Sequence, residues 1–474
     1  MGDASEKFEM NEEDGPVDSQ EPLTFQNEKD GYGKERVGKD RKKDIRSFCL
    51  SVFNLMNAIL GSGILGLAEA MKNLGVLLFY VLLIMTACLA GYTINLLLIA
   101  SKAAKETTYE GLAVKSFGFA GKVATSLMIV IHCLGAMCSY VFIIKAEMPE
   151  VVKVFFDDAN STISAHGDAD ENLPFYRSGV FLMMCVVLLV IVPLSSMKDI
   201  RFLGYSSAFG MACMLLFTMT VVIKKFSIPC PLDQNNHHDN HTVYNSSDSE
   251  LEPQVCKAEL GKMNSKSAYA VPTMIFSFMC HASMLPIYHE LRRPSPRKMK
   301  KVAGISIFLV LVLYMISASF GYFTFYNYVQ SELLLTYSKF EPKDPLIILS
   351  RVMVLTCVTL SVPLLHYPCR KTIITTFMRN PQQFNWLRHI LVMVACLTLT
   401  VVMVVFIPDI RDIFGIAGAT SSASLLILFP CAFYLKLTKR QPKYKRVTAM
   451  VLFVLGAIFM MFSVVMIVVD WINH

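Results

Sequence analysis

The sequence predicts an all-α polytopic membrane protein with eleven transmembrane helices. Hydrophobic residues make up 54% of its 474 positions and charged residues only 17%. The apolar residues also gather into long runs. An ordinary soluble domain carries about 25% charge, and a helix needs roughly 20 apolar residues to cross the hydrocarbon. The runs are 48–70, 75–100, 121–146, 178–195, 202–223, 267–290, 302–327, 345–368, 388–408, 412–435 and 447–470. A net charge of +7 would suit nucleic acid in a soluble protein. Here basic loops on one side of a bilayer account for it, and no nucleic-acid partner is expected.

Residues 1–47 are polar, carry both charge signs and lack the apolar core of a cleavable signal peptide. They are expected to form a disordered cytoplasmic tail. The chain has thirteen cysteines, most of them inside apolar runs, where they act as small apolar residues.

The first run, Phe48 to Ala70, organises the rest. Gly61-Ser62-Gly63 lies near its middle, where glycine disfavours a continuous helix. An opened turn in lipid leaves peptide groups that need protein, water or a solute as partner. Asn57 and Asn54 lie about one and two turns before the break, so this span reads as half of a solute and ion site.

Lysine and arginine placement sets the orientation. With the amino terminus inside, one face collects Lys102, Lys105 and Lys115, then Lys198 and Arg201, then the Arg292–Lys301 cluster. Arg370, Lys371, Arg379 and Arg388 follow, and then the basic residues from Lys436 to Arg446. That is the positive-inside pattern. The opposite face holds three Asn-x-Ser/Thr acceptors, Asn160, Asn240 and Asn245, as glycosylated outer loops require. Cys230 and Cys256 lie in the same outer segment, and a disulfide closing it would contribute roughly 3–4 kcal/mol. Trp471 is expected to anchor the extracellular carboxyl terminus at the interface.

The first five spans begin inside and the next five begin outside, so corresponding spans run oppositely. The expected units are a first five-helix repeat over 48–223, an outer loop over 224–266 and a second repeat over 267–435. An eleventh helix with a short extracellular end fills 436–474. Span six is interrupted like span one: Pro272 and Pro286 bracket Ser277-Phe278-Met279-Cys280-His281, and proline removes a backbone bond. Paired interrupted helices in two halves point to a transporter site. The competing reading is two ordinary kinked helices packed through small residues.

At these residues the chain resembles a known family. Ser51-Val-Phe-Asn-Leu-Met-Asn-Ala-Ile-Leu-Gly-Ser-Gly-Ile-Leu-Gly-Leu67 resembles the first-helix signature of the sodium-coupled neutral amino acid transporters. These form part of the amino acid/auxin permease branch. Gly135 to Lys145, Phe202 to Ser207, Phe276 to His281, Leu285 to Leu291, Gly321 to Tyr326 and Pro408 to Gly415 continue the likeness. The resemblance implies a LeuT-type 5+5 inverted repeat plus one helix. It also implies sodium-driven uptake of small neutral amino acids or glutamine, with sodium co-transported and no organic cofactor.

Site residues follow from the resemblance. Asn57 matches the family's sodium-site asparagine, with Ser361 of span eight as partner where the family has threonine. Thr359 is the neighbouring candidate, but it points about 160° away from Ser361 on a regular helix. Backbone groups at Gly61, Ser62 and Gly63 are expected to receive the substrate carboxylate, since a helix amino terminus favours an anion. Carbonyls at Ser277, Phe278 and Met279 are expected to take the ammonium. His132 replaces the usual glutamine near the middle of span three, where an ionisable residue is by default functional; it is expected to line the pathway and influence pH dependence. Glu69 replaces a tyrosine and reads as a vestibule carboxylate, and His281 as structural or gating. Arg351 is expected near the outer mouth, as a gate or a surface residue reaching for the interface.

The chain contains no Walker-type phosphate loop, and the histidines of 237–241 sit in a glycan-flanked loop unsuited to zinc. The reading is therefore a secondary transporter, not an enzyme, at the plasma membrane or in an endosomal or lysosomal membrane. Added proton antiport, or a non-transporting amino acid sensor on the same fold, are the rivals.

Overall fold

Proline, glycine and capping side chains divide the apolar runs into helices at legible places. The computed structural model describes residues 43–156, 178–197, 204–228, 256–262, 266–341, 343–378, 385–439 and 441–473. The chain divides into two units, Met1–Ser47 and Phe48–His474. Every regular element among the described residues is helical.

Span one is two helices, α1 (Lys43–Ile59) and α2 (Gly63–Leu74), bent by 57°. Then come α3 (Val76–Ala104), α4 (Tyr109–Phe156), α5 (Gly179–Ser196) and α6 (Gly204–Ser227). Span six is again two helices, α7 (Ser267–Ser277) and α8 (His281–Glu290). The rest are α9 (Pro296–Phe325), α10 (Leu333–Phe340), α11 (Pro345–Phe377), α12 (Trp386–Phe406), α13 (Ile410–Leu437) and α14 (Lys443–Asn473). Counting the bent pair as one, eleven spans among the described residues are long and apolar enough to cross a membrane.

Side chains mark the helix starts. Ser178, Ser295, Asp344, Asn385 and Asp409 each accept a hydrogen bond from a first-turn amide of α5, α9, α11, α12 and α13, as N-caps do. α13 carries π-helical turns at Gly418–Ser422 and Ser424–Leu428, a feature frequent at functional sites. Proline at 272 sits inside α7, and the chain leaves helical geometry six residues later, at Phe278.

Burial separates interior from rim. Of the most apolar stretch of Ser267–Glu290, 78% is buried, against 17% for Lys443–Asn473. Span six is therefore central, and span eleven lies at the edge. The outward side chains of the rim are apolar: Leu387, Leu391 and Val394 on α12, and Met450, Val454, Ile458 and Met461 on α14, all exposed. A surface of that kind belongs in lipid. At the centre, α2 packs on α7 and on α9, and α4 packs along α11.

Two elements depart from expectation. Span three begins earlier than 121, because a short helix from Tyr109 runs into it through Gly118, whose φ of 68° breaks the helix. The connection between spans seven and eight contains α10, eight residues long, too short to leave a clear period in the sequence. The strand of chain 256–262 lies across the α2–α3 junction. Val76 and Leu77 donate to the carbonyls of Glu259 and Leu260, and Lys262 donates to Leu74. Gly75 makes that turn with φ 79°, a conformation glycine reaches without strain.

Candidate functional site

Both interrupted spans lose their helical bonding at the predicted residues. Between α1 and α2 lie Leu60, Gly61 and Ser62, and between α7 and α8 lie Phe278, Met279 and Cys280. The two breaks face one another. A β-carbon on Gly63 would sit 2.2 Å from Ser277 Oγ. Ser62, Ser277, Phe278 and Met279 are all buried.

A tyrosine from span seven joins the breaks. The Tyr314 hydroxyl lies 2.9 Å from the Ile59 carbonyl and 3.0 Å from the Ser277 carbonyl. These are the last carbonyls of α1 and α7, so one hydroxyl hydrogen serves the negative ends of both half-helices. The Tyr314 ring also meets Phe278 edge-on at 5.3 Å. On the other side, Ser62 Oγ is 2.5 Å from Ser139 Oγ of α4. A β-carbon on Gly61 would come within 2.8 Å of the Tyr140 hydroxyl. The hydroxyls of Ser139 and Tyr140 on α4 thus pack against the start of α2.

His132 comes from α4 to the same region. Its Nδ1 is 3.1 Å from Ser422 Oγ, in a π-helical turn of α13, and its ring lies 5.5 Å from that of Phe276. His281 begins α8, where its Nε2 lies 2.9 Å from Thr93 Oγ1 of α3. Fully buried, it ties span six to span two.

Asn57 lies close to α6 and α11. A β-carbon on Gly210 of α6 would meet both Asn57 Oδ1 and Cys357 Sγ at 3.2 Å. Cys357 lies one turn before Ser361, whose hydroxyl donates to the Cys357 carbonyl at 2.8 Å. Asn57 and Cys357 of α11 therefore come close to each other around Gly210. Thr359 is half-buried on the same helix, and no hydrogen bond joins it to Asn57 among the described residues.

At the end of the bundle near Gly75, charges link the spans. Glu69 Oε1 is 3.7 Å from Arg411 Nη1 of α13, and the Arg411 guanidinium stacks 4.9 Å over Tyr269 of α7. Lys72 Nζ donates to the Val329 carbonyl at 2.6 Å. Arg351 is no surface residue: it is 1% exposed and lies 3.2 Å from Glu147 Oε2 of α4. An apolar cavity of about 250 Å³ lies elsewhere, between α4, α12 and α13, with Leu134, Cys138, Met403 and Ile416 in its wall.

Cys256 is disulfide-bonded. Cys230, Asn160, Asn240, Asn245 and the histidines of 237–241 lie outside the described residues. Sequence reasoning missed Tyr314 and Gly210. Tyr314 stands in span seven without a polar neighbour to mark it, and Gly210 acts only through the space it leaves. Ser139 and Tyr140 had a signal, since both belong to the Gly135–Lys145 stretch.

The family model described as "Transmembrane amino acid transporter protein" matches residues 46–469. The chain is 38% identical over 446 residues to the "Sodium-coupled neutral amino acid symporter 2" of Danio rerio, covering 93% of this chain and 86% of that protein. It is also 38% identical over 477 residues to the "Sodium-coupled neutral amino acid transporter 4" of Rattus norvegicus, covering 90% and 85%. Among solved structures, a manganese transporter of Eremococcus coleocola aligns with 88% of this chain and 86% of its own. The TM-score is 0.47 and the identity 11%. With its family match running almost from end to end, the chain belongs to the transmembrane amino acid transporter family.

Proposed function

We propose that this protein is a sodium-coupled symporter of small neutral amino acids or glutamine, working by alternating access around its two broken spans. The carrying observation is the pair of facing breaks, with Tyr314 holding the carbonyl ends of α1 and α7 together. The names of the two relatives supply the substrate class and the ion.

In this reading the carboxylate of the amino acid meets the amides of Gly61, Ser62 and Gly63. Its ammonium meets the carbonyls of Ser277, Phe278 and Met279. Sodium, as cargo, is held by Asn57 and Ser361. A zwitterion suits such a place because its two charges match the opposite ends of two helix dipoles. Sodium brings the net positive charge that an inside-negative potential drives inward, about 2.3 kcal/mol per 100 mV.

His132 lines the same region and tunes transport, and replacing it by glutamine is expected to change the pH dependence between about pH 6 and 8. The amino terminus is cytoplasmic and the carboxyl terminus extracellular. The plasma membrane, where the sodium gradient is steep, is the site of action. Cys230 and Cys256 form the disulfide of the outer loop, and Asn160, Asn240 and Asn245 carry glycans.

The test is purified protein in liposomes with an imposed sodium gradient. The proposal expects concentrative uptake of a neutral amino acid with sodium and none with potassium alone. Binding without uptake would make the protein a sensor, and sodium-independent uptake would remove the coupling.

A further inference from the structure

Three charged side chains are buried where α4, α10 and α11 converge, away from the helix breaks. Glu147 of α4 is 0% exposed, Arg351 of α11 is 1% exposed, and Glu332, the residue capping α10, is 0% exposed. Arg351 Nε lies 3.2 Å from Glu147 Oε2. Its Nη2 donates to the Leu334 carbonyl at 3.3 Å and to Ser338 Oγ, both on α10. Neither oxygen of Glu332 has a hydrogen-bond partner among the described residues.

The charge count does not close. Two carboxylates and one guanidinium leave one negative charge buried, and an uncompensated buried charge costs several kcal/mol. The remaining charged groups nearby are already matched. Glu150 of α4 is 4.0 Å from Arg351 but pairs with Lys153 at 2.8 Å. Asp344 at the start of α11 pairs with Lys224 of α6. On α2, Glu69 pairs with Arg411 and Lys72 with a backbone carbonyl. On α10 itself, Lys339 is exposed.

We propose that Glu147, Arg351 and Glu332 form a proton-binding site, in which one proton from solvent, carried by Glu332, neutralises the cluster and fastens α10 onto α4 and α11. Burial and the Glu147 charge raise the Glu332 carboxyl well above the usual carboxylate range, against the pull of Arg351. A raised carboxyl makes docking complete below the carboxyl's free value and weakens it as pH rises through the docked value. Deprotonation then frees α10, the helix joining spans seven and eight, so transport would sense pH through this helix.

The inference does not rest on the sodium-coupled reading, and its test uses no substrate. Leu334, 1% exposed, is replaced by cysteine as a reporter of undocking. Lys339, exposed on the same helix, is replaced by cysteine in a second protein as the control for thiol ionisation. Both are purified in detergent, and maleimide labelling at each position is followed by peptide mass across pH. The ratio of the Leu334→Cys rate to the Lys339→Cys rate is expected to rise about tenfold, the equivalent of one pKa unit, over the alkaline limb. With Glu332→Gln, or Glu147→Gln should the first variant fail to fold, the ratio stays flat. A ratio independent of pH in the parent protein overturns the proposal, whether or not either glutamine variant folds. So does a ratio that follows sodium concentration and not pH.

Discussion

Gly63 and Ser277 touch across the two helix breaks, with room for nothing larger than hydrogen on the glycine. A β-carbon there would fall 2.2 Å from Ser277 Oγ and 2.9 Å from Ser277 Cβ. The hydroxyl can rotate away, but the β-carbon is fixed by the backbone. Gly63→Ala is therefore expected to lower stability by about 1–3 kcal/mol, as overpacking does, and to stop uptake. Adding Ser277→Gly should restore part of the stability. Thermal unfolding of the single and double variants checks this, and equal melting of both would contradict it.

Tyr314→Phe keeps the ring against Phe278 and removes only the hydroxyl. Two buried carbonyls, those of Ile59 and Ser277, then lose their shared donor. The expected cost is about 1–3 kcal/mol in stability. Uptake should fall about tenfold, the equivalent of roughly 1.4 kcal/mol of barrier. Parent-like transport by this variant would show that the tyrosine is only packing.

Sodium dependence separates the two candidates on α11. Ser361 shares a turn with Cys357, which meets Asn57 around Gly210. Asn57→Ala and Ser361→Ala should each raise the sodium concentration for half-maximal uptake about tenfold, near 1.4 kcal/mol per ligand. Thr359→Ala should leave it unchanged. The reverse ranking would reassign the site.

Asp344 gives a pH signature. Burial alone would raise its carboxyl, but the hydrogen bond from Lys224, with those from the amides of Ile347 and Leu346, leaves it below the ordinary value. A depressed carboxylate stabilises the fold at neutral pH, and that contribution is lost as pH falls through its lowered value. Asp344→Ala also removes the cap of α11 and should cost about 1–2 kcal/mol at neutral pH. The difference from the parent protein should shrink on acidification, as unfolding measured over a pH series would reveal.

The sequence made the membrane class and both breaks legible, because apolar run length and the Gly61-Ser62-Gly63 and Pro272 signals are local. It did not show which atoms would meet. Tyr314 joins Ile59 to Ser277 across 255 and 37 residues of separation, a relationship no local pattern encodes. Arg351 illustrates the same limit: on a helix of apolar residues it reads equally as a gate or a surface cation, and only Glu147 and the α10 backbone reveal its burial. Asn57 was legible as a polar residue in lipid, whereas its neighbour Gly210 carries no chemistry of its own. α10 escaped because eight residues hold barely two turns.

The central claim is that peptide groups at the two helix breaks receive the two charged ends of one amino acid. Competition for sodium-dependent uptake tests it most directly, using alanine, its methyl ester and its N-acetyl derivative. The account predicts that only the free zwitterion competes, since each blocked form leaves one helix end without its charge. If the ester or the N-acetyl compound competed as well as alanine, the peptide groups of Gly61–Gly63 or Ser277–Met279 would not be reading that end of the substrate.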